Sequence, residues 1–119
     1  MANPSSAKPI IKAIVPKLHE LVETVVFGDL WNRPQLSKRE RSMLTIATLI
    51  ATGRLDPLRS HMEQAIDHGV TPEEISELMT HVAIYAGFPA AVSAAMVARP
   101  LFEDLGVVEK LTPIADPAS

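Results

Sequence analysis

The spacing of apolar residues predicts helices along most of the chain. Between residues 10 and 26 apolar side chains recur every three or four positions, as on one face of a helix. Pro16 interrupts this pattern, so we expect a helix over residues 9–26 that is kinked at Pro16, or a shorter helix that begins there. No stretch alternates apolar and polar residues as a half-buried strand would. The pattern therefore predicts an all-α fold.

Start and stop signals divide the rest of the chain into four more helices. Ser37 with Glu40, and Thr71 with Glu74, have the spacing of capping boxes, and glycines follow the last apolar positions. The helix after Ser37 is apolar around most of its circumference, which is typical of a central helix. The four predicted helices begin and end, in order, at Ser37 and Gly53, at Asp56 and Gly69, at Thr71 and Gly87, and at Pro89 and Glu103 or Asp104.

The length of 119 residues is that of one domain with a single core. We expect five to six short helices, with the core over about residues 10–105 and loose tails at residues 1–8 and 107–119. Hydrophobic residues make up 47% of the chain but aromatic residues only 4%, so the predicted core is aliphatic.

Composition excludes several classes of function. The net charge is −3 and no basic block is present, which argues against nucleic-acid binding. The absence of cysteine excludes disulfides, thiolate metal sites and thiol nucleophiles. No apolar run approaches ~18 residues and the N-terminus lacks the pattern of a signal peptide. We therefore expect a cytoplasmic protein without a membrane-spanning segment.

Two histidines are candidates for chemistry. His61 flanks an apolar stripe and is predicted to be partly buried, either as a hydrogen-bonded structural residue or as a functional one. His81 lies beside apolar positions on its own helix. No second ligand lies one turn from either, so a metal site is not expected. His68 is predicted to complement a helix C-terminus, and His19 to face solvent.

The break between the first two helices supplies charged candidates. Arg33 follows Trp31 in a turn closed by Pro34, and Arg41 falls among inward-facing positions of the next helix. A planar guanidinium can donate two parallel hydrogen bonds to a carboxylate, and it can also bind a lactone oxygen. These two arginines are therefore the predicted anion binders. Asp29 is predicted either to pair with an arginine or a histidine, or to be a helix-capping or surface carboxylate.

Several ordered motifs, over about residues 18–105, resemble the carboxymuconolactone decarboxylase family. They are GDLWNRPQL from Gly28, Arg41-Ser42, His61, Ala65, Gly69-Val70-Thr71, Glu74-Ile75, Glu77 and YAGFPAA from Tyr85. Peroxidases of the wider alkylhydroperoxidase-D-like superfamily use a Cys-x-x-Cys-x-x-x-His motif. The matching stretch here keeps only its histidine, His61, so thiol peroxidase chemistry is excluded.

The resemblance implies an alkylhydroperoxidase-D-like helical protomer that assembles into homotrimers or homohexamers. It implies cofactor-free decarboxylation of 4-carboxymuconolactone, a small lactone acid of protocatechuate catabolism, by a carboxy-lyase. Aspartate at Asp29 and histidine at His81 replace the glutamate and glutamine that are common in the family.

On this hypothesis, the catalytic residues are His61, as a general acid or an oxyanion donor, and Asp29, which orients Arg41 or Arg33. Arg41 and Arg33 bind substrate, Trp31 walls the pocket, and His81 is a further substrate-binding candidate. No metal or cofactor is expected. The alternatives are a hydrolase or isomerase of another small carbonyl acid on the same scaffold, or a non-catalytic oligomeric protein that binds a small ligand.

Overall fold

The computed structural model describes residues 4–111, and side chains from Lys8 onward. Its helices are α1 (Pro4–Ile14), α2 (Pro16–Leu21), α3 (Lys38–Ala51), α4 (Leu58–Asp67), α5 (Pro72–Ala86) and α6 (Phe88–Leu105). A π-helical turn, Val22–Val26, continues α2, and 3₁₀ turns occupy Leu30–Asn32 and Val108–Lys110. No strand occurs within residues 4–111. The all-α prediction is confirmed.

Helices α3 to α6 form the core. Helix α3 packs against α4, α5 and α6, while α4 and α5 flank the pair formed by α3 and α6. The side chains of Ile46, Ile50, Leu58, Met62 and Ile75 are fully buried. Each contributes about 1.5–3 kcal/mol relative to an exposed side chain, so the aliphatic interior holds these four helices together. The expected central position of α3 is confirmed.

Local capping fixes two of the core helices as predicted. Ser37 and Glu40 cap α3 reciprocally, and Thr71 and Glu74 do the same for α5. Gly87 ends α5 at φ 106°, in a region that a residue with a Cβ adopts only under strain. Helix α6 starts at the next residue, because Pro89 suits a first helical turn.

The predicted start of α4 is wrong. Asp56 was expected to cap this helix, but α4 begins at Leu58, and Pro57 is the residue before it, without a side-chain cap. The Leu58 amide donates to the Leu55 carbonyl at 3.1 Å, so a turn occupies residues 55–58. Ser60 then donates its hydroxyl to the Pro57 carbonyl at 2.9 Å.

An ion pair links the N-terminal ends of α3 and α5. The Arg39 guanidinium pairs with the Glu74 carboxylate, and its Nε donates to the Gly69 carbonyl at 3.3 Å. Arg39 and the Thr71 amide together hold the pKa of Glu74 below its usual value. The contact fixes the two helix starts side by side.

Helices α1 and α2 pack on each other rather than into the core. The chain breaks between them at Val15, immediately before Pro16, so the predicted interruption at this proline is confirmed. Helix α1 starts earlier than expected, at Pro4. We call residues 4–26 the N-terminal arm. Most of its apolar side chains are exposed, among them Ile14 at 73%.

The capping box of α5 should have a measurable effect on stability. We expect Thr71→Ala to lower the free energy of unfolding by about 0.5–2 kcal/mol, because the Glu74 amide loses its acceptor. Thr80 is an exposed threonine of the same helix, whose hydroxyl donates to the Ser76 carbonyl. Thr80→Ala should change stability by less than about 0.5 kcal/mol. Denaturant unfolding of both variants at one protein concentration measures the difference, and equal effects would contradict the capping assignment.

Candidate functional site

A rigid turn before α3 presents the first site candidates. A Cβ at Gly28 would lie 2.7 Å from the carbonyl oxygens of Glu23 and Thr24, so only glycine fits at the end of the π-helical turn. Asn32 donates its side-chain amide to the Phe27 carbonyl at 2.9 Å. These constraints fix the 3₁₀ turn that carries Trp31.

Trp31 is buried, with 8% of its surface exposed. Its ring centroid lies 6.1 Å from that of Phe27 and 5.6 Å from that of His68. The indole therefore packs the turn against the end of α4. Its expected role in lining a substrate pocket stays a prediction.

The Arg41 side chain contacts the main chain of Arg33, whose own side chain is exposed. Arg41 is half-buried, and its Nη2 donates to the Arg33 carbonyl at 3.3 Å. Its Nε is buried and has no hydrogen-bond partner among the described residues. Neither guanidinium has an acidic partner within salt-bridge distance in that part of the chain. A buried donor without a partner is costly, so this end of α3 is suited to accept an anion.

Asp29 does not pair as one reading of the sequence suggested. Its side chain is exposed, and within residues 4–111 it makes no hydrogen bond or ion pair with Arg33, Arg41 or any histidine. Asp29 immediately precedes the 3₁₀ turn, and its side chain faces solvent. A catalytic role for it stays a prediction.

His68 lies at the C-terminal end of α4, as predicted, and it also contacts Ser42 and Trp31, which the sequence did not indicate. Its Nδ1 lies 2.7 Å from the hydroxyl of the buried Ser42, while Trp31 covers one side of the ring. Ser42 and His68 are 26 residues apart. Nothing in the local sequence indicates that contact, which depends on how α3 and α4 align.

His61 is half-buried on α4, as predicted. Burial lowers its pKa below the usual value for histidine, and a hydrogen bond with the Gln64 side chain offsets part of that effect. The neutral imidazole is therefore favoured. His61 precedes His68 by seven residues, so it lies ~10.5 Å from that end along α4. Arg41, Ser42 and His68 therefore lie at one level of the bundle, and His61 lies at another, about two helical turns away.

His81 lies elsewhere, in a groove between α3 and α5. A cavity of about 350 Å³ there is lined by Met43 and Ala47 on one side and by Glu74, Glu77, Leu78, His81 and Val82 on the other. The rings of His81 and Tyr85 lie 4.9 Å apart. The structure therefore does not bring His81 together with Arg41, and its substrate-binding role stays a prediction.

The part of the chain that the structure describes contains neither a metal-binding cluster nor a membrane-spanning helix. No three histidine, aspartate or glutamate side chains there are grouped to hold a metal ion. No helix in residues 4–111 combines the length and the apolar character needed to cross a bilayer.

Comparison with known proteins places these residues in a family context. The sequence model of the carboxymuconolactone decarboxylase family matches residues 16–100. The match includes the turn with Trp31, helices α3 to α5 and most of α6.

Three curated proteins are similar to the chain. A 4-carboxymuconolactone decarboxylase of Acinetobacter baylyi is 42% identical over 86 residues, which are 72% of this chain and 64% of that protein. A nitrosuccinic acid decarboxylase of Metarhizium robertsii is 35% identical over 86 residues, 72% of this chain and 60% of its own. An uncharacterized 15.0 kDa protein of Paracoccus denitrificans is 29% identical over 96 residues, 79% and 72% of the two chains.

The chain thus spans somewhat under two thirds of the length of the two decarboxylases. The family match itself extends over most of the chain and over every core helix. The chain belongs to the carboxymuconolactone decarboxylase family.

Proposed function

We propose that the protein is a carboxy-lyase that decarboxylates a small carboxylic acid without a cofactor. The observation that carries this proposal is Arg41, a half-buried guanidinium whose Nε has no hydrogen-bond partner and which forms no salt bridge among the described residues. A fixed cation of this kind favours a bound carboxylate or a developing oxyanion. The two similar proteins that are named for a reaction are both decarboxylases.

The two substrates in those names share a chemical property. When 4-carboxymuconolactone loses CO2, the electron pair of the broken C–C bond passes into the lactone carbonyl and gives an oxyfuran-like dienolate. When nitrosuccinic acid loses the carboxyl beside its nitro group, the pair passes into that group and gives a nitronate. Each substrate thus supplies its own electron sink. The protein then has to stabilise an oxyanion while a proton adds to carbon.

His61 fits the role of oxyanion donor better than that of general acid. Because burial lowers its pKa, the imidazole is neutral at neutral pH and offers an N–H to a developing negative charge. A neutral imidazole is a weak acid, so water is the proton source for carbon in this proposal. Arg41 and Arg33 bind the carboxylate or the lactone oxygen. Because Arg41 and His61 of one protomer lie at different levels of the bundle, the proposal requires that the arginines and the histidine that meet at one substrate come from two copies of the chain.

We further propose that the protomer associates with copies of itself, as homotrimers or homohexamers. Helices α5 and α6 expose a run of large apolar side chains: Ile84, Tyr85, Phe88, Val92 and Met96. Tyr85 is 81% exposed. A contiguous apolar surface of this kind usually marks an interface.

Loss of the His61 imidazole should reduce CO2 release. We expect His61→Gln to lower kcat by about 10²-fold, the lower end of the range for one oxyanion-hole donor. The assay follows CO2 from 4-carboxymuconolactone and, separately, from nitrosuccinic acid. His19→Gln is the control, because His19 lies on α2 outside the core. Full turnover by a folded His61→Gln protein would defeat the role of His61, and no turnover of either acid by the unmodified protein would defeat the proposed function.

Replacing the planar fork of Arg41 should weaken substrate binding. Arg41→Lys keeps the positive charge but cannot donate two parallel hydrogen bonds to the substrate carboxylate. A hydrogen bond to a charged group contributes about 1.5–3 kcal/mol. We expect kcat/KM for the active acid to fall roughly ten- to a hundredfold. Arg54→Lys, at an exposed arginine beyond the end of α3, is the matched control. Steady-state kinetics that change equally in both variants would contradict the assignment.

The protonation of His61 gives a third prediction. Burial disfavours the imidazolium, so the pKa of the His61 ring should lie below the ordinary histidine value of ~6.5. If the neutral ring is the active form, activity rises with pH through that lowered pKa and is level above it. The stability of the fold changes with pH in the same direction as the activity. Below about pH 6.5 His61 binds a proton more readily in the unfolded chain than in the folded one, so the free energy of unfolding decreases as pH falls. NMR titration of the four imidazoles, assigned with His61→Gln, measures the midpoint, and a value above that of a free histidine would contradict the burial argument.

A further inference from the structure

His68 contacts both of the segments that surround Arg41. Its Nδ1 lies 2.7 Å from the hydroxyl of Ser42, which follows Arg41 on α3. Its ring lies 5.6 Å from the ring of Trp31, tilted by 44°. Trp31 precedes Arg33 by two residues, and the Arg33 carbonyl accepts a hydrogen bond from Arg41 Nη2 at 3.3 Å. These contacts form a closed circuit that begins and ends at Arg41.

The hydrogen bond between Ser42 and His68 favours one orientation of the imidazole. Ser42 is only 2% exposed, and its hydroxyl has no other hydrogen-bond partner among the described residues. A buried hydroxyl without an acceptor is costly, so with a neutral ring the arrangement in which Ser42 donates to Nδ1 is favoured. The ring proton is then on Nε2. Because the same ring packs on Trp31, the hydrogen bond ties the turn before α3 to α3 itself.

The Arg41 side chain has few other contacts that could hold it in place. Its Nε has no hydrogen-bond partner, and its guanidinium forms no salt bridge in the described part of the chain. A long side chain that is free to move loses rotamer freedom when a ligand orders it. The bond to the Arg33 carbonyl removes part of that freedom in advance, as long as the turn stays in position.

We propose that His68 is a positioning residue, which fixes the turn before α3 and thereby orients the Arg41 guanidinium for a substrate carboxylate. It acts through Ser42 and Trp31 and does not itself contact the substrate. This inference rests on the proposed function and deepens it, because it adds a residue of α4 to the determinants of the anion site. A preorganised arginine binds a carboxylate at a lower cost in entropy than a mobile one.

The end of α4 is also held by bonds that do not depend on the imidazole. Arg39 Nε donates to the Gly69 carbonyl at 3.3 Å, and the His68 amide donates to the Gln64 carbonyl at 3.0 Å. Changes to the His68 side chain should therefore leave this helix end in place. Their effect on the anion site can then be measured in a folded protein, with folding checked by denaturant unfolding.

A double-mutant cycle tests the coupling between His68 and Arg41. His68→Phe keeps a ring against Trp31 but removes the acceptor of the Ser42 hydroxyl, whereas His68→Asn keeps a nearby acceptor and removes the ring. We expect each change to lower kcat/KM about tenfold when Arg41 is present. In the Arg41→Lys protein each should lower it less than about twofold, because the group that His68 positions is absent. In the Arg54→Lys protein, the control, the tenfold effect should remain.

NMR supplies a second measurement that needs no turnover. Succinate, a carboxylate without an electron sink, is the probe, and its Kd is measured from backbone amide shifts through the same cycle. We expect about tenfold weaker binding after either change at His68, again only when Arg41 is present. The Arg41 Nε–H signal should also exchange faster with water in both variants. A role of His68 in stability alone would produce no such coupling to Arg41.

The outcomes separate this proposal from the proposed function. Equal effects of the His68 changes in the Arg41 and Arg41→Lys proteins would overturn the positioning role and leave the reaction intact. Coupled effects on succinate binding in a protein without decarboxylase activity would support the positioning role and defeat the proposed function. A protein that neither binds succinate nor releases CO2 would defeat both. If one His68 variant does not fold, the other decides, since each breaks a different contact of the circuit.

Discussion

Burial of α3 against three other helices is the constraint on which the rest of the structure depends. Ile46 and Ile50 are fully enclosed by α4, α5 and α6, so α3 is fixed both in position and in rotation. Successive residues of a helix point about 100° apart. The first turns of α3 therefore send Arg39 to α5, Arg41 to the preceding turn and Ser42 to the end of α4. One packed helix thus organises the contacts around the candidate site.

The two sides of α3 differ in charge: unpaired arginines lie beside the preceding turn, whereas glutamates lie beside α5. On the side of the turn, Arg41 and Arg33 have no acidic partner among the described residues. On the side of α5, Arg39 is neutralised by Glu74, and Glu77 leaves the groove with an excess of negative charge. A carboxylate is therefore stabilised at the first place and repelled at the second. This asymmetry favours the end of α3 beside the turn, rather than the groove beside α5, as the place for a carboxylate substrate.

The exposed apolar residues show that the protomer does not bury all of its hydrophobic pattern. The stripe over residues 10–26 has the periodicity of a packed helix, yet most of it faces solvent in the isolated chain. The run from Ile84 to Met96 is similar. Scattered apolar residues on a surface are ordinary, but two contiguous sets on a chain of 119 residues are not. Both sets are explained if the functional unit contains several copies.

The sequence by itself determined the helices of the core, because their signals act over three or four residues. The capping boxes at Ser37 and Thr71 and the end of α5 at Gly87 lie where they were predicted. The prediction failed at Asp56, where a turn over residues 55–58 delays the helix start. The partial burial of His61 also followed from its place beside an apolar stripe.

The tertiary structure alone decided which candidate residues meet. It joined Arg41 to Arg33 and placed His81 in a separate groove, and it left Asp29 without a partner among the described residues. It also placed Ser42 against His68, a contact across 26 residues that no local pattern encodes. The physical reason is that helix formation depends on neighbouring residues, whereas the alignment of one helix with another is set by how their buried side chains pack.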